Sequence, residues 1–170
     1  EEAEIVLKGL NKNSLQGDAK MAEIAEKFGI KTEYGDKAIS IHKIKNHTNP
    51  ELFEYDFIEQ PDIAQTVFAM CGSLNIKGLF TGLQTLYIKE TNRIQAFKNE
   101  LAKIGISLSK LPLAFSKNSG KEYFLLEGNI IFNEMPHFDT YHDHRMAMSL
   151  ASLALLHEIT INDYEVVSKS

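Results

Sequence analysis

The chain has 170 residues, of which 44% are apolar and 24% charged, so it has the composition of a folded globular protein and not of a disordered segment or a fibre. Its formal net charge of −5 argues against a general nucleic-acid binder, because such a protein needs a basic surface. No apolar run approaches the roughly 20 residues that a membrane helix requires, so we expect no membrane partner.

The single cysteine, Cys71, excludes a disulfide within the chain and a zinc site built on cysteines. It lies in the apolar run 67–71, so we expect a buried structural thiol and not a nucleophile. A cytoplasmic location fits this cysteine content and the absence of a visible secretory signal. The chain begins without methionine and ends abruptly, and we therefore expect it to be part of a longer protein.

Apolar residues recur at helical spacing in four segments. In the first, Asp18 is the expected N-cap, and in the fourth, Thr140 and Asp143 form an expected capping box. In the second, Ile63, Val67, Met70 and Leu74 are expected to form one buried stripe. The four predicted helices cover residues 18–28, a segment that begins after Pro61, residues 91–104 and residues 140–156.

Short apolar and β-branched runs between these helices predict strands, and the chain is therefore a mixed α/β protein. The predicted strands are residues 5–7, 31–34, 38–42, 52–57, part of 79–88, 106–108, 123–126 and 159–161.

The sequence also contains an internal repeat. Gly29 and Gly105 each follow a helix and precede two short strands, and they are 76 residues apart. Asp62 and Asp143, at the starts of the second and fourth helices, are 81 residues apart. We therefore predict one domain made of two similar units, about residues 15–90 and 91–170, with the helices packed face to face and the sheets outside.

The densest group of charged residues is Lys89-Glu90-Thr91-Asn92-Arg93 at the start of the third helix. Spacings of three and four residues allow Lys89, Glu90 and Arg93 to point to one place. Two cations at a helix N-terminus oppose the helix dipole, and an anionic ligand would explain them. The alternative is a solvated ion pair on the helix surface, which contributes about 0–1 kcal/mol.

Two other helix starts carry polar residues, namely Asp62 in one and the run 142–145 in the other. If the three starts converge, Lys89, Arg93 and Arg145 would line a positively charged cavity suited to a phosphate or a carboxylate. An alternative role for this region is a metal site, whose candidate ligands are His137, His142, Asp143 and His144. Their spacing, however, matches no metal-binding pattern.

These motifs resemble those of the 5-enolpyruvylshikimate-3-phosphate synthase family. Lys89-Glu90-Thr91-Asn92-Arg93 is similar to the family's Lys-Glu-Ser/Thr-Asp-Arg motif, and residues 143–148, Asp-His-Arg-Met-Ala-Met, are similar to its Asn-Asp-His-Arg-Met-Ala-Met motif. Segments 15–18, 61–66 and 168–169 also resemble family segments, in the same order, so the resemblance covers the whole chain.

The resemblance implies two domains of three βαβαββ units each, with helices inside and sheets outside in an inside-out barrel, of which this chain would be most of the C-terminal domain. It also implies a transferase of the shikimate pathway of aromatic amino-acid (chorismate) biosynthesis, monomeric at full length, that requires no cofactor and no metal. The missing N-terminal part of the same enzyme would be this chain's partner, and the isolated chain would be inactive.

The implied reaction moves the enolpyruvyl group of phosphoenolpyruvate to the 5-hydroxyl of shikimate 3-phosphate. By the match, Asp62 is the general base on that hydroxyl, and Glu90 gives a proton to the methylene of phosphoenolpyruvate and takes one back. The remaining substrate contacts are Lys89 and Thr85 for shikimate 3-phosphate, and Arg93, His144, Arg145 and Lys169 for phosphoenolpyruvate.

The sequence departs from the family pattern at three positions. Asn92 stands in place of aspartate, His142 in place of asparagine, and Thr85 in place of the asparagine or histidine that often contacts substrate. None of these changes removes a residue with an implied catalytic role. The alternative function is a structural or anion-binding domain of the same fold without catalytic activity.

Overall fold

A computed structural model describes residues 4–10, 12, 16–118 and 120–169. Its contacts divide the chain into two compact units, Glu1–Glu51 and Leu52–Ser170. In the described part of the chain, no helix is long and apolar enough to cross a membrane.

The first unit is a three-stranded antiparallel sheet with one short helix. Its elements are β1 (Glu4–Lys8), a 3-10 helix (Gly17–Lys20), α1 (Met21–Glu26), β2 (Ile30–Tyr34) and β3 (Ala38–Lys43), with strand order β1-β3-β2. Ile24 of α1 and Ile39 of β3 are buried. Asp18 is the second residue of the 3-10 helix, so the prediction that it caps an α-helix is wrong.

The second unit contains three helices and two sheets. The larger sheet has strand order β4-β5-β7-β6, and the smaller pairs β8 with β9. Its strands are β4 (Leu52–Asp56), β5 (Lys77–Thr81), β6 (Ile106–Lys110), β7 (Phe124–Gly128), β8 (His137–Phe138) and β9 (Thr160–Ile161). Its α-helices are α2 (Ala64–Ser73), α3 (Arg93–Ala102) and α4 (His144–Ala151), and its 3-10 helices are Pro61–Ile63, Gln84–Ile88, Leu113–Phe115, Ser152–Leu155 and Tyr164–Lys169.

The order of elements from α1 to β5 is the same as that from α3 to β9. Each series runs helix, three strands, helix, strand. In each, the first two strands pair antiparallel, and the strands on either side of the second helix pair in parallel: β4 with β5, and β8 with β9. This order is what the sequence repeat leads one to expect, while the closed, helix-inside barrel stays a prediction.

A cluster of phenylalanines holds α2 and α3 against the larger sheet. The ring of Phe68 in α2 lies 5.0 Å from that of Phe80 in β5 and 5.9 Å from that of Phe97 in α3, measured between centroids. All three side chains are buried, and each buried aromatic ring removes a large apolar area from water. This packing fixes the helices whose N-terminal ends carry the charged residues of the candidate site.

The structure corrects two predictions about the helices. The stripe on α2 is wrong at Leu74, which is exposed, because α2 is buried on more than one side and its covered residues include Phe68 and Cys71. Helix α4 begins at His144 and not at Thr140, and Asp143 alone is its N-cap. The strand expected in part of residues 79–88 is confirmed as the end of β5, which stops at Thr81, and the 3-10 helix Gln84–Ile88 follows it.

The predicted burial of Cys71 is confirmed. The residue is fully buried, and burial raises the pKa of its thiol to about 12. The thiolate is the reactive form of cysteine, so this side chain is held in its inert state near neutral pH.

Candidate active site

The starts of α2, α3 and α4 meet around the side chain of Arg93, which is only 2% exposed. Its Nε donates to Asp143 Oδ2 at 2.6 Å, its Nη1 to Asp62 Oδ1 at 2.9 Å and its Nη2 to Glu90 Oε2 at 2.7 Å. Nη2 also donates to Asp143 Oδ1 at 3.2 Å. One guanidinium therefore joins three carboxylates that come from three different helix starts.

Asp143 is fully buried and has two functions in this arrangement. As the N-cap of α4 it accepts a hydrogen bond from the backbone N–H of Arg145 at 2.8 Å. The same carboxylate also binds Arg93 through both of its oxygens. A buried charge is tolerated only when it is paired, so Arg93 and Asp143 require each other.

Asp62 lies in the 3-10 helix that precedes α2, and its carboxylate is reached by three cations. Lys89 Nζ lies 3.1 Å and Arg93 Nη1 2.9 Å from its Oδ1, and Arg145 Nη2 lies 3.9 Å from its Oδ2. Arg145 Nη1 also donates to the backbone carbonyl of Asp62 at 3.0 Å.

The pKa of Asp62 lies below its ordinary value. Partial burial is the largest single effect and opposes ionisation, but the hydrogen bond from Lys89 and the charges of Arg145, Lys89 and Arg93 together outweigh it. The carboxyl group is therefore ionised at neutral pH. Its side chain is 37% exposed, so a hydroxyl group in solution can approach it.

The expected positively charged cavity is not what these residues form. Lys89, Arg93 and Arg145 do converge, but they lie among Asp62, Glu90 and Asp143, so the formal charges of the six groups cancel. The prediction included the three cations but not the three carboxylates that the same helix starts supply. An anionic ligand at this place must displace a carboxylate from its cation.

The other residues expected at the site lie on several different elements. His144 is the half-buried first residue of α4, and His142 and His137 are exposed. Thr85 is exposed in the 3-10 helix Gln84–Ile88 and takes no part in the hydrogen bonds of Arg93. Lys169 ends the last 3-10 helix, and its side chain lies outside the described residues.

The structure also explains one departure from the family motif. Asn92 is the N-cap of α3, and its side-chain oxygen accepts a hydrogen bond from the backbone N–H of Gln95 at 3.0 Å. Asparagine and aspartate are equally good N-caps, so this change preserves the start of the helix. Among the described residues, no group of three or more His, Cys, Asp or Glu side chains is arranged to hold a metal ion.

Sequence reasoning missed a buried carboxylate on α3, Glu100, which binds the segment before α4. The available signal was its position, seven residues after Arg93 and therefore on the same face of the helix. Acidic residues are almost never fully buried unless they are paired, and the sequence alone did not show its partners.

The comparison with known families decides the identity of this fold. The model of the EPSP synthase (3-phosphoshikimate 1-carboxyvinyltransferase) family matches residues 1–170. The chain belongs to the EPSP synthase family.

Individual relatives agree with this assignment. The 3-phosphoshikimate 1-carboxyvinyltransferase of Bacteroides fragilis is 40% identical over 171 residues, which cover 99% of this chain and 39% of the relative. The enzymes of the same name from Sulfurovum sp. and Shewanella baltica are 34% and 33% identical, and the matches cover 35% and 36% of those relatives. The chain therefore spans less than two fifths of the length of these relatives.

A solved structure of EPSP synthase from Acinetobacter baumannii has the same fold over this segment. It superposes with a TM-score of 0.61 at 24% identity, covering 99% of this chain and 39% of that one. The fold is therefore the mixed α/β fold of an EPSP synthase over part of its length.

Proposed function

We propose that this chain supplies one wall of an active site that transfers the enolpyruvyl group of phosphoenolpyruvate to the 5-hydroxyl of shikimate 3-phosphate. The observation that carries the proposal is the placement of Asp62 and Glu90 on two nitrogens of the same buried guanidinium. The reaction needs a base for a hydroxyl and a separate acid for an alkene, and both must face one small space.

In the addition step, the 5-hydroxyl oxygen bonds to C2 of phosphoenolpyruvate while its proton passes to Asp62. Glu90 gives a proton to the methylene carbon, C3, and the product is a tetrahedral adduct. In the elimination step, the bond from C2 to the phosphate oxygen breaks and C3 loses a proton to Glu90, which restores the double bond. Inorganic phosphate leaves with the proton that Asp62 took from the hydroxyl, so Asp62 is ionised again and the reaction balances.

The environment of Asp62 fits the role of base. The cations that lower its pKa keep it ionised, and they also make it a weak base. Placement must therefore contribute more than basicity, and the bonds from Lys89 and Arg93 to Oδ1 provide this placement while Oδ2 stays the less constrained oxygen.

The two substrates are polyanions, and their binding uses the cations of the network. We assign Lys89 to shikimate 3-phosphate and Arg145 to phosphoenolpyruvate. Because the network is balanced in charge, a substrate anion that binds Arg93 replaces the exposed Glu90, while Asp62 keeps the bonds that place it as the base. The proposed contacts of Thr85 with shikimate 3-phosphate, and of Arg93, His144 and Lys169 with phosphoenolpyruvate, complete the set.

The isolated chain is proposed to be inactive. It spans 39% of the Bacteroides fragilis relative, and holding both reactants in a productive geometry supplies much of the reduction in the activation barrier. A structural domain of the same fold without catalytic activity is the second candidate, and the balanced charge of the network is the observation that favours it, because the cations are already paired with carboxylates.

The test uses a chimera in which residues 1–170 replace the matching stretch of the Bacteroides fragilis relative. Phosphate release from both substrates is measured for the chimera and for its Asp62→Asn, Glu90→Gln and Glu54→Gln variants. Asp62→Asn should lower kcat by about 10²–10⁴-fold, the usual effect of removing a general base. Glu54 forms an exposed ion pair with Lys117 outside the network, and its replacement is the matched control.

Two results would contradict the proposal. One is a folded chimera that binds phosphoenolpyruvate and releases no phosphate, which would favour the domain without catalysis. The other is an Asp62→Asn chimera with nearly normal kcat and a lowered melting temperature, which would make Asp62 a structural residue of the helix start.

A further inference from the structure

A second group of charged side chains lies at the other end of α3, around Glu100. This residue is fully buried, and its carboxylate accepts three hydrogen bonds: from Lys103 Nζ at 2.6 Å, from the backbone N–H of Asp139 at 2.9 Å and from Tyr141 Oη at 2.8 Å. Lys103 Nζ also donates to the carbonyl of His137 at 2.8 Å. Two of the three partners of Glu100, and the carbonyl that Lys103 binds, therefore belong to the stretch of chain that precedes α4.

Helix α3 holds this stretch at two points. Arg93 and Glu100 are seven residues apart, so they lie on one face of the helix, two turns from each other. Glu100 binds the beginning of the 139–143 segment and Arg93 binds its end, at Asp143. The segment is thus fixed at both ends by one rigid helix.

The 139–143 segment needs such support because its backbone is strained. Tyr141 and His142 have φ angles of 53° and 58°, in the left-handed region that side chains other than glycine rarely adopt. Each such residue stores a small amount of free energy and persists only where its surroundings enforce it. The bond from Tyr141 Oη to Glu100 acts directly on the first of these two residues.

The conformation of this segment sets the position of two groups of the candidate active site. Asp143 follows the strained pair, caps α4 and holds Arg93. Arg145 comes two residues later and reaches the carbonyl of Asp62. A relaxed segment would shift Asp143 and Arg145 together, away from Asp62.

We propose that Glu100 is a positioning residue for this site. It holds the 139–143 segment in its strained form, so that Asp143 stays bound to Arg93 and Arg145 stays bound to the backbone carbonyl of Asp62. The catalytic meaning of this role rests on the proposed function, whereas the positioning itself does not. A buried carboxylate costs more free energy than an apolar side chain of the same size, so packing alone does not account for Glu100.

The test measures the position of the site without measuring catalysis. In the 170-residue chain, Asp62 is titrated by NMR through its side-chain carboxyl carbon, and hydrogen exchange is followed at the backbone N–H of Arg145, which donates to Asp143. The charged groups that face Asp62 are Lys89, Arg93 and Arg145. A shift of Arg93 and Arg145 therefore changes the pKa of Asp62, whereas a uniform loss of stability does not.

Three variants and one control are compared. Glu100→Leu should raise the pKa of Asp62 by about half a unit or more and speed exchange at Arg145 about tenfold relative to Phe97. Tyr141→Phe removes one hydrogen bond and should give smaller changes of the same sign. Glu100→Gln keeps one acceptor oxygen and therefore one of the two bonds, from the backbone N–H of Asp139 or from Tyr141 Oη, so its changes should be smaller than those of Glu100→Leu. The control, Leu101→Ala, removes a buried neighbour on α3 that is not part of the network.

The outcomes are decisive even if Glu100→Leu fails to fold, because Tyr141→Phe and Glu100→Gln are mild changes. Wild-type values of both quantities in these two variants would overturn the proposal. Equal changes in the Leu101→Ala chain would also overturn it, since they would show a general loss of stability. None of these measurements follows phosphate release, so their result does not depend on whether the transferase proposal is correct.

Discussion

Replacement of Asp143 by asparagine tests whether the pair it forms with Arg93 is the structural centre of the candidate site. Asparagine caps a helix as well as aspartate does, so Asp143→Asn keeps the bond to the backbone N–H of Arg145 and removes the charge together with the acceptor of Arg93 Nε. Arg93 is then left 2% exposed without its fully buried counter-ion.

The burial of each partner sets the expected magnitude. Removing one member of a buried ion pair costs about 3–5 kcal/mol, because the remaining charge stays desolvated. Arg93 still contacts Asp62 and Glu90, so we expect the lower end of this range, about 3 kcal/mol. Glu90 is 48% exposed, and its pair with the same guanidinium should contribute only about 0–1 kcal/mol.

The assay is urea unfolding of the 170-residue chain, followed by far-ultraviolet circular dichroism. A loss of about 3 kcal/mol lowers the urea midpoint by about 1–3 M at the usual dependence on denaturant. Asp143→Asn should show this shift, whereas Glu90→Gln should stay close to wild type. Glu54→Gln removes an exposed pair with Lys117 and gives the baseline for a surface ion pair.

The reasoning would be refuted by an Asp143→Asn midpoint equal to that of Glu54→Gln. It would also be refuted if Glu90→Gln destabilised the chain as much as Asp143→Asn. Either result would mean that burial does not rank the partners of Arg93, and that the guanidinium is held by other contacts.

Three further predictions concern other parts of the molecule. The buried Cys71 thiol should resist alkylation until the chain unfolds. Between pH 9 and 12 it should lower the stability of the chain by about 1.4 kcal/mol per pH unit, because the unfolded thiol loses its proton first; Cys71→Ala should make the slope of stability against pH less steep by that amount. Gly128→Ala should cost more than about 1 kcal/mol in urea unfolding, since its φ is 124° and a Cβ would overlap the backbone oxygen of Gly105, whereas Gly120→Ala, in open space, should cost less. The pKa of Asp62 is lowered in the folded chain, so its contribution to stability is complete above about pH 4 and is lost as the pH falls through the folded pKa. Asp62→Asn should therefore make stability depend less on pH at acidic pH. An unchanged dependence at acidic pH would contradict this prediction.

The sequence predicted the strands and the meeting of the helix starts better than the helix boundaries. Alternating apolar runs located all but one strand of the described chain, and the missed one, β8, has only two residues. Helical spacing also predicts that Ile94, Phe97 and Leu101 form one stripe on α3, and all three are buried in the structure. Helix α2 is covered on more than one side, so a single stripe could not describe it.

The partners of Arg93 could not be predicted in the same way. Motifs placed Asp62, Glu90 and Asp143 at helix starts, and the repeat suggested that these starts converge. Which carboxylate is buried depends on tertiary packing that no short spacing encodes, and the Glu100 cluster depends on a loop with two left-handed residues. The motifs identified the cations as a group, but they did not show which carboxylate neutralises each cation.

The three carboxylates around Arg93 differ in exposure, and this difference distinguishes a structural role from a chemical one within the same network. Asp143 is fully buried, and its two bonds to Arg93 leave it no room to exchange with a ligand. Glu90 is 48% exposed, so water can solvate it when it leaves the guanidinium. In the proposed reaction, a substrate anion therefore takes the place of Glu90 on Arg93 without exposing an unpaired buried charge, because Asp62 and Asp143 keep their bonds to the guanidinium. The same arginine can hold α3 to α4 permanently and present its other N–H groups to the reaction.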